Sequence, residues 1–421
     1  MIPTADKHIA DSSTKAASLI LMLSAAAFWF FLPVLSIVLL CYLHIKLSNY
    51  KVFALFLMAL TFGLIASTTK PITSELTDIA RYKSTYLKLS TINSFQEFIV
   101  ATVVLSGEVN ILFTIVNYVF SLFLPTYHQI VPLFWVTLTY FFTFLTFYEY
   151  SKHNQYGQTE YALFFVLIGI LGIPFYQTTE TIKQCSAFAL FSYALVLKVY
   201  GRPKSLLYLI IALLTHVSTI MILPTYLFCK QKWIVKWILP LFLIVLVLSF
   251  FNLNEMINNY LGDFLGGGFK ERTELYTEYG WELSRRYNII LYLFGAMVLF
   301  AFWYFQKAQQ QNEADSFLLN IHLLSFLILF LNRNNVHNFV RYILTYYPFY
   351  NLLLLHMINF QLPKRQKIAI WFVLSAFFAY SNYLLLVLRT NPEIGYANSY
   401  LDNSISLLLS SNVLDILKFD Q

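Results

Sequence analysis

Residues 205–228 read SLLYLIIALLTHVSTIMILPTYLF, an apolar run broken by Thr215, His216 and Ser218 and bounded by GRPK at 201–204 and CKQKWIVK at 229–236. The run has the length of one membrane-crossing helix, about 20 residues. A single crossing would put one basic cluster on each side of the membrane, against the cytoplasmic bias of Lys and Arg. Two half-helices meeting at Thr215, His216 and Ser218 keep both clusters on one side, and the break falls where polar side chains can serve the freed backbone. We adopt this re-entrant reading, which sets the direction of every neighbouring segment.

Outward from that pair, the chain is 58% hydrophobic, 19% aromatic and 12% charged over 421 residues, with a mean hydropathy of +0.63. Such a composition lies outside the soluble globular range and describes one polytopic, all-α integral-membrane domain, residues 1–421. Apolar runs of spanning character fall near 18–43, 51–67, 130–148, 161–176, 183–200, 233–251, 287–305, 316–331, 340–358 and 368–388, about 10 full spans. The run at about 109–124 carries Asn110, Asn117 and Ser121, and its polar spacing predicts a helix lying along the interface.

This topology places the basic gaps HIKLSNYK, EYSKHN, GRPK, KQKWIVK, QKAQQQNEAD and LPKRQK on the cytoplasmic side and both termini outside. The exterior then receives the large loops 68–108 and 252–286, the short gaps 177–182 and 332–339, and the tail 389–421, which ends in an amphipathic segment. These gaps hold nearly every charge that has no anchoring explanation.

Several function classes are excluded. The net charge of +7 is scattered in short loop clusters, which argues against a nucleic-acid face. Cys41, Cys185 and Cys229 lie in or beside apolar runs with no CxxC or His partner at ligand spacing, so neither a disulfide framework nor a zinc site is expected. Gly266 to Gly268 are not followed by GK[ST], and no HExxH or metal-type carboxylate pair occurs; no cofactor or metal is expected.

Chemistry is therefore sought in the outer gaps. In KPITSELTDIARYKSTY (70–86), helical spacing puts Asp78, Tyr82 and Tyr86 on one face, with Glu75 and Arg81 nearby. A carboxylate beside a cation and tyrosines can bind sugar hydroxyls or act as a base, although an ordinary solvated ion pair has the same signature. Glu108 opens the 109–124 helix, where its charge also favours the helix N-terminus. Lys183 and Gln184, in TTETIKQCSA (178–187), stand at the outer mouth of a span, where a lysine can snorkel or meet an anionic head group. His216 is an ionisable group at membrane depth, which more often lines a cavity than packs. Arg333, His337, Arg341, Tyr342 and Tyr346 lie in NRNNVHNFVRYILTYY (332–347), with His337 and Arg341 four apart on one helical face. Arginine forks suit phosphate oxygens, whereas Arg285 and Arg286 read as interfacial anchors.

The order of these features resembles the EpsG-like branch of the Wzy-type polysaccharide polymerases, over roughly residues 60–350. LTDIARY with Tyr86 is similar to that family's first-loop motif, although Asp78 is not followed directly by Tyr. GEVNILF supplies the acidic residue that opens an aromatic helix. Lys183-Gln184-Cys185-Ser186-Ala187 looks like an Arg-Gln-x-x-Ala segment with lysine in place of arginine. LIIALLTHVSTI supplies His-x-Ser through His216 and Ser218, and Arg341-Tyr342 with Tyr346 matches the C-terminal Arg-aromatic segment.

The resemblance implies a GT-C-like membrane glycosyltransferase of the bacterial inner membrane with its site facing the periplasm. It further implies a donor glycan carried on undecaprenyl diphosphate, contact with membrane lipids and a chain-length regulator as a partner. The residue chemistry agrees with it: Lys183, Arg341 and Arg81, with Tyr82, Gln184, Ser218, Arg333, His337 and Tyr342, are the expected substrate-binding groups, and the base is one of Asp78, Glu108 and His216. A lipid-linked oligosaccharide flippase and a polymer-to-lipid ligase are the competing readings. A flippase would line a path through the midplane, whereas most charges here gather on one side.

Overall fold

A computed structural model of the chain describes residues 5–46, 50–68, 78–105, 110–153, 175–249, 313–333 and 336–361, with a few isolated positions beyond them. Among the described residues every regular element is helical. The expected spans 287–305 and 368–388, most of 161–176, the loop 252–286 and most of the tail 389–421 lie outside them.

The chain divides into two compact units, Met1–Thr85 with Tyr127–Ile182 and Ile368–Gln421, and Tyr86–Thr126 with Lys183–Lys367. In the first unit, α1 (Ala5–Phe31) and α2 (Pro33–Lys46) share the run read as one span, 18–43. Pro33 has no N–H and interrupts the ladder, which the Leu32 to Phe28 and Ser36 to Leu32 bonds carry on either side. Trp29 Nε1 donates to Thr61 Oγ1 at 2.9 Å, tying α1 to α3 (Lys51–Ser67).

Helix α3 packs along a much longer helix, Ile130–His153. The approach is close at Gly63, where a Cβ would run into Thr137 Oγ1 and the Leu133 carbonyl. Phe62 stacks on Tyr140 with centroids 4.1 Å apart, which adds to the burial of both rings. Helix α4 (Asp78–Leu89) begins in this unit and continues into the second.

In the second unit the segment that follows α4 is folded. The end of α4, α5 (Phe95–Ile99) and α6 (Ile111–Phe123) meet in a cluster of Leu89, Phe98 and Tyr118, with Phe98 stacked on Tyr118 at 4.3 Å. Ser94 caps α5 by accepting the Glu97 N–H, and a π-helical turn, Val100–Leu105, follows. In α6 the polar positions Asn110, Thr114, Asn117 and Ser121 are buried, whereas Ile111, Val119, Leu122 and Phe123 are exposed. An interfacial helix turns its polar side to water. This helix turns its polar side into the protein, so its polar spacing reports inward packing.

We number Ile130–His153 as α7, followed by α8 (Phe175–Glu180) and α9 (Ile182–Val199). Gly201, at φ 65°, ends α9 with an Arg202 N–H to Leu197 bond of 2.8 Å, the left-handed stop that glycine allows. The run 205–228 then forms α10 (Ser205–Thr215), a 3₁₀ turn (Val217–Ile222) and α11 (Leu223–Phe228), with His216 extended at φ −151° and ψ 121°. The expected break at residues 215–218 is present. The unit closes with α12 (Trp233–Ser249), α13 (Glu313–Leu331) and α14 (Val336–Gln361).

Helices α7 and α9 are long and apolar enough to cross a membrane by length and composition, and shorter apolar helices accompany them. Leu239, Leu243, Ile244 and Val247 stand exposed along α12, a face suited to lipid rather than water.

Candidate functional site

The second unit can be laid out by height from its side-chain contacts. Phe188 of α9 faces Tyr342 of α14 with ring centroids 6.5 Å apart, and Ser192 Oγ donates to the Thr345 carbonyl at 3.4 Å. Both partners advance in the same direction, so α9 and α14 run parallel with their N-termini at one end. Lys183 and Gln184 sit in the first turn of α9 and Arg341 in the second turn of α14. His337, four residues before Arg341, is in the first turn of α14.

Helix α10 returns along α9 in the opposite sense. Ser205 Oγ donates to the Ala194 carbonyl at 2.8 Å, and Tyr193 meets Tyr208 at 4.9 Å. Ser205 to His216 and Ala194 to Lys183 are each eleven residues, about 16 Å of helix rise. The break at His216 therefore reaches the height of Lys183 and Gln184.

Helix α6 connects the two. Lys183 Nζ lies 4.9 Å from the centre of the Phe113 ring, and Asn110 Oδ1 accepts the Val217 N–H at 3.1 Å. Cation, aromatic face and helix break thus belong to one neighbourhood. His216 caps the 3₁₀ turn, its Nδ1 accepting the Ser218 N–H at 3.2 Å with Ser218 Oγ at 2.6 Å. Lys183, His216, Ser218 and Arg341 are all partly buried, whereas Gln184 and Tyr342 are buried. Tyr346, one turn below Tyr342, is pinned to Thr225 of α11 by a 2.8 Å hydroxyl contact. Arg333 follows α13 in the turn before α14, its guanidinium over Phe330 at 4.9 Å.

At the other end of α9 the returning pair is closed by cations on helix C-termini. Lys198 Nζ donates to the Tyr226 and Leu227 carbonyls, and Lys230 Nζ to the Val199 carbonyl at 3.1 Å. The polar groups at the His216 end consequently sit on a braced hairpin.

The remaining predicted residues are distributed as follows. Asp78 and Arg81 pair with each other on α4, where Arg81 is exposed and Tyr82 partly buried. Tyr86 is fully buried and donates to the Leu124 carbonyl at 2.8 Å, and burial pushes its phenol up to about 12. It is a structural tie between α4 and the end of α6. Glu108, Lys70, Glu75, Arg285 and Arg286 lie outside the described residues. Asn110 and Phe113 were not among the expected site residues. Asn110 stands immediately before an aromatic helix, a signal that spacing alone cannot connect to Val217. Among the described residues, no cluster of three or more His, Cys, Asp or Glu side chains could hold a metal.

The model of the EpsG family matches residues 72–401. The chain belongs to the EpsG family. Membership supports the assignment to EpsG-like polysaccharide polymerases that the motifs implied, and together with the apolar helices it points to a membrane protein. All the described site residues lie inside the matched range. Comparison of this EpsG-family chain with curated proteins and with solved structures gives no match.

Proposed function

We propose that this EpsG-family chain is a membrane glycosyltransferase with a GT-C-like helical frame that polymerises lipid-linked repeat units. It would transfer the growing glycan from undecaprenyl diphosphate to the non-reducing end of a new repeat unit, at the outer face of the bacterial inner membrane. The observation that carries this reading is the gathering of Lys183, Gln184, His216, Ser218 and Arg341 at one end of the second unit.

The chemistry follows from charge. As the bond from the anomeric carbon to the phosphate oxygen breaks, its electron pair goes to the diphosphate, and preorganised cations stabilise that charge most where it develops. Lys183 and Arg341 supply them at the starts of two parallel helices, whose N-terminal ends add positive potential. Arg341 offers a planar fork for phosphate oxygens, and Lys183 a point charge held against Phe113. The acceptor hydroxyl attacks as its proton leaves to a base, for which Asp78, Glu108 and His216 are the candidates.

Deletion of the gene followed by analysis of surface polysaccharide tests the proposal. The expected phenotype is loss of long chains while single repeat units still reach the surface. Loss of all exported units would identify a flippase instead, and long polymer left unattached to its acceptor would identify a ligase.

A further inference from the structure

One face of α12 changes character along its length. Trp233, Lys236, Trp237, Leu243, Ile244 and Val247 are all exposed. Their spacing confines them to about one third of the helix circumference. The opposite face is packed: Ile234 is fully buried, and Phe242 meets Phe326 and Phe330 of α13 at 5.9 and 5.2 Å. The exposed stripe therefore begins with two tryptophans around a lysine and continues as aliphatic side chains. From Trp237 to Val247 the helix rises about 15 Å, half the hydrocarbon thickness of a bilayer. Tryptophan at the head-group level with aliphatic residues below it is the order of polarity across one leaflet.

The tryptophan end of the stripe is also the most cationic part of this unit's described surface. Residues 181–254 contain no Asp or Glu. Lys198 and Lys230 are bonded to backbone carbonyls across the hairpin, which draws the turn at 201–204 beside the turn at 229–232. Arg202, Lys204, Lys232 and Lys236 are the remaining cations at this end. All four are exposed, and none pairs with a carboxylate among the described residues. Like charges brought together by two packed turns repel one another, so an anion at this place would relieve a cost that the fold itself creates.

We propose that this end of the second unit binds an anionic phospholipid. Its phosphate is held by Lys232 and Lys236 with Arg202 and Lys204 on the neighbouring turn, and its acyl chains lie along Leu243, Ile244 and Val247. A soluble anion would use the cations and leave the stripe below them without a role, whereas a phospholipid matches both parts at once. The site is at the opposite end of α9 from Lys183, and the inference does not depend on the polymerase reading.

The test titrates the full-length protein, in micelles of a neutral detergent, with phosphatidylglycerol or phosphatidylcholine carrying brominated acyl chains, and reads the quenching of tryptophan fluorescence. Phosphatidylglycerol should quench saturably at a lower mole fraction than phosphatidylcholine, and W233F/W237F should remove that saturable component. A cation at a membrane surface is worth about 5-fold in affinity for anionic lipid, so K232Q/K236Q should weaken binding about 25-fold while K232R/K236R binds as wild type. Raising the salt to about 1 M, where charges are screened within about 3 Å, should weaken the wild type in the same way. If K232Q/K236Q does not fold, R202Q/K204Q on the other turn should show a loss of similar size.

Equal quenching by the two lipids would overturn the proposal and leave ordinary boundary lipid on this face. Saturable quenching that survives K232Q/K236Q but is lost in K183M/R341A would move the lipid to the other end of α9. Displacement of phosphatidylglycerol by inorganic phosphate would mean a soluble-anion site. A K232Q/K236Q variant that loses affinity for polyglutamate but not for phosphatidylglycerol would give the patch an acidic protein as its partner.

Discussion

Ser205 Oγ and Tyr226 OH lie 2.8 Å apart although 21 positions separate them in the chain. A straight helix would put those residues about 32 Å apart, so the run from 205 to 228 doubles back on itself. A single-cysteine variant at each of the exposed positions Lys204 and Lys232 should accordingly react with a membrane-impermeant maleimide from the same face. Labelling from opposite faces would mean that the run crosses the membrane. Ser205→Ala removes the bonds to Ala194 and Tyr226 at the base of the hairpin and should lower thermal stability by about 1–2 kcal/mol, measured on the detergent-solubilised protein.

The first unit can be tested at its closest helix contact. Gly63→Ala brings a methyl group against Thr137 Oγ1 and the Leu133 carbonyl, and a backbone carbonyl cannot rotate away. Overpacking of this kind costs about 1–3 kcal/mol, so a clear loss of folded protein after mild heating is expected. Gly63→Ala together with Thr137→Ala relieves the side-chain half of the clash only, and should recover part of the loss.

The break at residues 215–218 was legible because charge bias and polar residues coincide within one short run. Lys183 and Arg341 could be expected at one end because each stands near the start of an apolar run, whereas His216 stands in the middle of the 205–228 run, and its height beside Lys183 follows only from the packing of Ser205 against Ala194 and of Asn110 against Val217. The orientation of α6 was not legible. Asn110, Asn117 and Ser121 give the period of a polar face, but only the neighbours decide whether that face meets water or protein. The bond between Asn110 and Val217 was equally hidden, because its partners are 107 positions apart and no local pattern relates them. Pro33, by contrast, sat in plain view within an apolar run, and its effect on the ladder follows from its missing N–H.

Tyr86 anchors α4 to the end of α6 and lies outside the expected spans. Tyr86→Phe deletes the hydroxyl that donates to Leu124 and should cost about 1 kcal/mol of stability. The pH dependence has a definite sign. Burial raises the phenol to about 12 in the folded chain, whereas an unfolded tyrosine ionises near 10, so protons leave the unfolded state first. The wild-type contribution is complete below about pH 10 and is lost as pH rises towards 12. Alkaline unfolding should therefore begin at a higher pH in Tyr86→Phe once its lower baseline is subtracted. Coincident alkaline curves would show that Tyr86 is not buried as described.

Arg341 and Lys183 carry unequal parts of the proposed chemistry, and substitution should separate them. Arg341→Ala removes a fork that can bind two phosphate oxygens at once, and elongation should fall by about 10²-fold or more at normal protein level. Arg341→Lys keeps the charge without the fork, so it should give shortened chains rather than none. Lys183 rests on Phe113, and part of its role is packing of its stem. Lys183→Met retains that stem and loses only charge, so it should fold normally while slowing elongation. Lys183→Arg restores charge with a better phosphate geometry and should match or exceed wild type. If chain lengths on a gel are unchanged in both Arg341→Ala and Lys183→Met, the cations do not face the departing diphosphate and the site must be sought elsewhere in the chain.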